Sequence, residues 1–231
     1  SYIERISTFP INTEIVTIKT YGSKASTRIP AGKITGNITL KVNTSFVLLP
    51  KEPMACRSYD PRVGYFTEEF TDFGDDQQQV KRRQVISRWR LEPKDIEAYR
   101  RGELVEPVKQ IVYYIDPATP KKWVPYLIAG VNDWNAAFEK AGFKNAIMAK
   151  EWPENDSTMS MEDARYSVIR YLASNIENAY GPHVHDPRSG EILESHICWY
   201  HNVVSLVHDW YMVQASSIHE AARTMQFSTE L

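Results

Sequence analysis

The chain has 231 residues, with 27 Lys and Arg against 29 Asp and Glu, a formal net charge of −2. Hydrophobic residues make up 42%, aromatics 12% and charged residues 24%, which excludes a disordered, collagen-like or coiled-coil chain. The longest apolar runs, such as Phe46-Val47-Leu48-Leu49, are too short to span a bilayer, and near-neutral charge gives no general attraction to nucleic acid or an anionic membrane.

Residues 1–50 read as β structure. Ile38, Leu40, Val42 and Thr44 alternate with Thr39, Lys41, Asn43 and Ser45, the period of a half-buried strand. Glu14–Tyr21 is similarly β-branched, and Gly22, Gly32 and Gly36 mark turns. From Pro50 to Asp76 the pattern gives way to Pro, Gly and aromatics, an ordered linking segment. Five acids from Glu68 to Asp76 then precede Lys81, Arg82, Arg83, Arg88 and Arg90; the expectation is mutual pairing plus a solvated helix face. No nucleic-acid motif accompanies the basic run, so no nucleic-acid partner is expected. Pro93–Arg101 reads as a short helix that stops at Gly102.

Gln110–Ile115 is a β run ended by Asp116-Pro117. Thr119 as N-cap and Pro120 at the first helical position open a long helix. Trp123, Leu127, Val131, Trp134 and Phe138 form its apolar stripe, and Gly142 closes it. Phe143–Ala149, Arg165–Ala173 and Glu191–Cys198 are further strand candidates, with a turn-rich segment from Gly181 to Gly190. Trp199, Val203, Leu206, Trp210 and Val213 make a second helical stripe. The pattern yields an α+β chain with a division near residue 76: an N-terminal β-rich domain with its linking segment over 1–76, then a second domain over 77–231.

His219-Glu220-Ala221-Ala222-Arg223 approaches the His-Glu-x-x-His zinc helix, in which two imidazoles on one face grip an ion and Glu activates its water. Arg223 takes the second histidine's place, and a guanidinium has no lone pair to give. A second cluster is His183, His185, Asp186 and His196. The i, i+2 pair faces one way on an extended segment, and His196 arrives from the next strand, an alternative metal set weighed against ordinary solvated or capping histidines. His201 and His208 are read as solvated or hydrogen-bonded. No Gly-rich phosphate loop or Gly-x-Ser-x-Gly is present. Asn37, Asn43 and Asn155 head Asn-x-Ser/Thr triplets, relevant only in a glycosylating host. Cys56 and Cys198 form neither a disulfide framework nor a zinc ribbon, and their pairing is open. The sequence opens at Ser1-Tyr2 without Met or a leader, as a mature protein or an excised piece would.

An ordered series of stretches resembles one family, the large bacterial zinc-dependent metalloproteases of the met-zincin type. It runs through Ser45–Pro50, Val63–Phe66, Arg88–Pro93, Gly102–Pro107, Ile115–Pro120, Ala141–Ala146, Asp163–Arg170 and Asp186–Ser195. The resemblance implies a metzincin-like upper catalytic subdomain, a twisted mixed sheet backed by a long helix, after the N-terminal β region. It implies a secreted or cell-envelope protein acting on peptide or protein substrates, with zinc in the full-length parent and no cofactor in this chain. In such folds substrate adds as a strand along the cleft edge, and position assigns that edge to Glu191, Ile192, Leu193, Glu194, Ser195, His196 and Ile197. The family's His-Glu-x-x-His-x-x-Gly-x-x-His helix follows this region, so no catalytic residue is expected here. The chain alone is expected to be inactive and to self-associate through an uncovered lower face. The competing expectation is a non-catalytic interaction module or pseudoenzyme on the same scaffold.

Overall fold

A computed structural model describes residues 1–24, 28–74 and 80–220. The fold is α+β, and its contacts resolve two compact units that are each discontinuous in sequence. The first comprises Ser1–Arg88, Asp156–Tyr166 and His185–Leu193; the second comprises Trp89–Asn155, Ser167–Val184 and Glu194–Leu231. A single division near residue 76 therefore does not describe this partition.

In the first unit, β1 (Tyr2–Thr8), β2 (Asn12–Gly22) and β3 (Asn37–Val47) form an antiparallel sheet with β2 in the centre. The helix α1 (Pro30–Thr35) precedes β3 and ends at Gly36, whose φ of 71° suits glycine. Two polar side chains are buried in this sheet, Asn12 and Glu14. Burial of a carboxylate demands donors, and Glu14 has three: Asn12 Nδ2 at 2.6 Å, Asn43 Nδ2 at 2.6 Å and Ser45 Oγ at 2.5 Å. Asn12 also ties in the segment Asp156–Tyr166, donating to Glu162 O at 2.8 Å and accepting from Ala164 N–H at 3.0 Å.

The acidic and basic runs meet as expected, but as strands. β4 (Thr67–Asp72) pairs antiparallel with β5 (Lys81–Ile86), so Asp72 faces Lys81 and Glu69 faces Gln84. Arg83 reaches Asp72 at 2.8 Å. The expected helix face is overturned because opposite charges across an antiparallel pair attract just as i, i+4 pairs do on a helix. Val85 and Ile86, both buried, then anchor β5.

The second unit holds most of a sheet of order β10-β11-β8-β6-β7, with β9 also paired to β11; His185–Asp186 of β10 and Glu191–Leu193 of β11 are counted with the first unit. The strands of this sheet are β6 (Ile111–Ile115), β7 (Ile147–Glu151), β8 (Ser167–Leu172), β9 (Ala179–Tyr180), β10 (His183–Asp186) and β11 (Glu191–Tyr200). β6 runs parallel to β7 and β8, and β11 is parallel to β8 and antiparallel to β9. Ile111, Tyr113 and Ile115 alternate inward on β6 and pack with Ile147, Ala149 and Ile169. A smaller core gathers Ala98, Val105, Phe143 and Ala146 beside α2 (Ile96–Arg100), which Asp95 caps through two backbone N–H groups.

The long helix is two pieces, α3 (Val124–Asn132) and α4 (Asn135–Lys140). Thr119 is not its N-cap; α3 starts after Trp123 with Pro125 in its first turn. A start at Pro120 would have put Pro125 in the helix interior, where the missing N–H breaks the i−4 bond. Val124, Leu127, Ile128, Val131 and Phe138 pack on the core, whereas Trp134, at the break, is 63% exposed. The break is held by asparagines at β7. Asn135 Oδ1 accepts from Ala146 N–H at 3.1 Å, and Asn135 Nδ2 donates to Ile147 O at 2.8 Å. Asn132 Oδ1 accepts from Ala149 N–H at 3.2 Å. After β11, α5 (Val203–Trp210) continues into a wider π turn, Tyr211–Ala215; Trp199 belongs to β11 and not to that helix.

Candidate functional site

The residues expected to bind a peptide strand, Glu191 to Ile197, lie on β11, and β11 is an interior strand. It has β8 on one side and β9 and β10 on the other. Ser195 N–H donates to Ser167 Oγ at 3.1 Å, Ser195 Oγ donates to Pro182 O at 3.0 Å, and His196 N–H donates to the same carbonyl at 3.2 Å. Glu191, Glu194 and Ser195 are buried, and Ile192, Leu193, His196 and Ile197 are half-buried. The outer strand on this side is β9 with β10, hidden inside a stretch that reads as a turn. Its short runs, Ala179–Tyr180 and His183–Asp186, flank Gly181-Pro182, which masks their periodicity.

The segment Asp186-Pro187-Arg188-Ser189-Gly190 is a structural turn. Asp186 is fully buried and accepts from Arg188 N–H at 2.9 Å and Arg188 Nη2 at 2.7 Å. Gly190 has φ 72°, and a Cβ there would lie 2.4 Å from Ile86 O. The same aspartate-to-arginine clamp at i+2 recurs twice in this unit. Asp163 accepts from Arg165 N–H at 3.0 Å and Nη2 at 2.6 Å; Asp60 accepts from Arg62 N–H at 3.0 Å and Nη2 at 2.5 Å. Burial pushes the Asp163 carboxyl up, but the Arg165 guanidinium and N–H more than offset this and hold it below its ordinary value. The guanidinium of Arg62 likewise lowers Asp60.

The sequence contains six histidines. His185 Nε2 lies 3.0 Å from Glu68 Oε2 of β4, and His183 precedes it by two residues on β10. His196 Nε2 lies 2.6 Å from Glu194 Oε1 within the second unit. His185 thus faces Glu68, while His196 pairs with Glu194. His201 Nδ1 bonds the Tyr171 hydroxyl, His208 Nδ1 lies 3.2 Å from Asp209, and His219 Nδ1 lies 2.9 Å from the Tyr211 hydroxyl. Among the described residues no three imidazoles converge as a catalytic zinc centre requires. His219 and Glu220 are described; Ala221, Ala222 and Arg223 lie outside the described residues. Cys56 and Cys198 are free thiols.

A cavity of about 470 Å³ opens in the second unit where β8 and β11 end. Its walls are aromatic: Trp199 meets Trp123 edge-on at 6.1 Å and 84°, and Tyr171 at 5.5 Å and 70°. Lys122 Nζ stands 4.9 Å from the centre of the Trp123 ring, and Glu177, Asp209, His201 and His208 also line the cavity. Tryptophans at 123 and 199 read as helix-stripe residues in sequence; Trp123 follows β6 and Trp199 lies near the end of β11, and these strands run parallel through β8.

Residues 1–94 match a protein family described as a domain of unknown function, DUF5117. No curated protein and no solved structure matches the chain.

Proposed function

We propose that the chain is part of a secreted zinc-dependent metallopeptidase, contributing an N-terminal β unit and the sheet portion of the catalytic domain. The observation that carries this reading is the ordered series of met-zincin-like stretches running from Ser45 to Ser195. Two features support it. The sheet is mixed, with parallel β7, β6, β8 and β11 and an antiparallel strand beyond them, and α3 and α4 lie between β6 and β7 in the chain. Val207, Trp210, Val213 and Ile218 are all exposed along the C-terminal helical stretch, an apolar row suited to cover by further protein.

In this reading zinc, when bound by the family's histidine helix, supplies an activated water for attack on the peptide carbonyl. The 231 residues contain no His-Glu-x-x-His, so these residues serve to hold substrate. An extended peptide pairs with the β9–β10 side of the sheet by backbone hydrogen bonds. The deciding test is the reading frame downstream of codon 231. A His-Glu-x-x-His-x-x-Gly-x-x-His helix there supports the peptidase, and chelator-sensitive casein cleavage should then require it. A stop codon or broken ligands overturns the peptidase in favour of an interaction module, and zinc-independent cleavage by the 231-residue chain overturns the zinc mechanism.

A further inference from the structure

The aromatic cavity of the second unit plays no part in strand addition. It opens at the carboxyl ends of β8 and β11, the end of parallel strands at which open α/β sheets receive ligands. Three large rings, Trp123, Tyr171 and Trp199, line it, with Trp199 edge-on to each of the other two. Ring faces attract cations, and Lys122 over Trp123 shows this within the lining itself. Glu177 and Asp209 are both exposed carboxylates of the lining. The lining thus supplies two carboxylates, Glu177 and Asp209, the latter 3.2 Å from His208 Nδ1, and one ammonium, Lys122.

We propose that this cavity binds the guanidinium of an arginine side chain presented by a peptide or protein. A guanidinium is planar and weakly hydrated, stacks on aromatic faces, and forks onto a carboxylate. Rings and carboxylates together suit it better than they suit other ligands. A neutral aromatic group leaves Glu177 and Asp209 unused, and an anionic group is repelled by both. A volume of about 470 Å³ accommodates one such side chain with its adjoining backbone. The inference is separate from the peptidase reading, because it concerns binding by the 231-residue chain itself.

The test is a titration followed by the indole N–H signals of the six tryptophans, with Trp123 and Trp199 assigned through Trp123→Phe and Trp199→Phe. Acetyl-arginine amide should shift those two signals saturably. Acetyl-citrulline amide, the same shape without charge, should bind about tenfold more weakly. The pair of substitutions Glu177→Gln and Asp209→Asn, both at exposed positions, should weaken the arginine ligand several-fold and leave citrulline unchanged. Equal binding of the two amides, shifts confined to other tryptophans, or no saturable shift would each overturn the proposal. Free arginine separates the two sources of the guanidinium: a tenfold preference for it over the blocked amide overturns the peptide occupant.

Discussion

The three aspartate–arginine clamps show how one local chemistry takes different weights with burial. Asp163 is 1% exposed, while its partner Arg165 is half in solvent. Removing the charge strands two guanidinium donors beside a buried amide. Asp163→Asn should therefore cost about 1–3 kcal/mol, measured by denaturant unfolding. Because folding lowers the Asp163 carboxyl, its contribution is present above the ordinary carboxylate value of about 4 and is lost as pH falls through the lower folded value. The variant should accordingly show a flatter decline in stability on acidification, followed by circular dichroism. Asp60→Asn, at a clamp in solvent, should leave the unfolding midpoint unchanged. In sequence, Asp163-Ala164-Arg165 and Asp186-Pro187-Arg188-Ser189-Gly190 stand out as signature stretches, and two carboxylates in a conspicuous motif invite a catalytic reading. Their buried, fully bonded geometry is a structural role that sequence does not disclose.

At the level of elements, strong periodicity was legible and pairing partners were not. β3, β6, β8 and α2 can be read from alternation, β-branching and caps. β10 cannot, because four residues bounded by Pro182 and Pro187 carry no measurable period. The late start of α3 is legible through Pro125, whereas the α3–α4 break rests on contacts to β7 that no local pattern marks. Asn132 and Asn135 bond backbone groups of the outer strand β7 and its approach, at Ala146, Ile147 and Ala149. This is the kind of cover that keeps an edge from pairing with another chain. Asn135→Ala removes a donor and an acceptor at once and should cost about 1–3 kcal/mol. Asn135→Gln, which keeps both groups on a longer arm, should recover part of that loss in thermal unfolding. Rescue equal to wild type would mean that the break is not geometrically demanding.

The whole molecule is interleaved. Asp156–Tyr166 and His185–Leu193 return to the first unit, where Arg5 forks onto Glu162 and Arg88 exchanges backbone bonds with Gly190 and Ile192. The matched family segment, residues 1–94, lacks both. Expressed alone, it should unfold without a cooperative transition, because Asn12, the buried end of β5 and the Pro50–Cys56 stretch lose their partners. A sharp transition matching that of the 231-residue chain would show that the returning segments only decorate a self-sufficient unit. Composition and period led to the α+β class but not to this interleaving, since hydrogen bonds spanning 150 residues, such as Asn12 to Glu162, leave no local trace.

The interleaving sets an order of events on the ribosome. β1, β2 and β3 emerge first and can pair at once, since their contacts are near neighbours in sequence. Yet the segment that seats Gly190 against Ile86 is translated about a hundred residues after Arg88. At about 5–20 residues per second this leaves the first-made unit open for about 5–20 s. The N-terminal unit is thus first to be synthesised and cannot be completed until the sheet of the second unit is almost wholly translated.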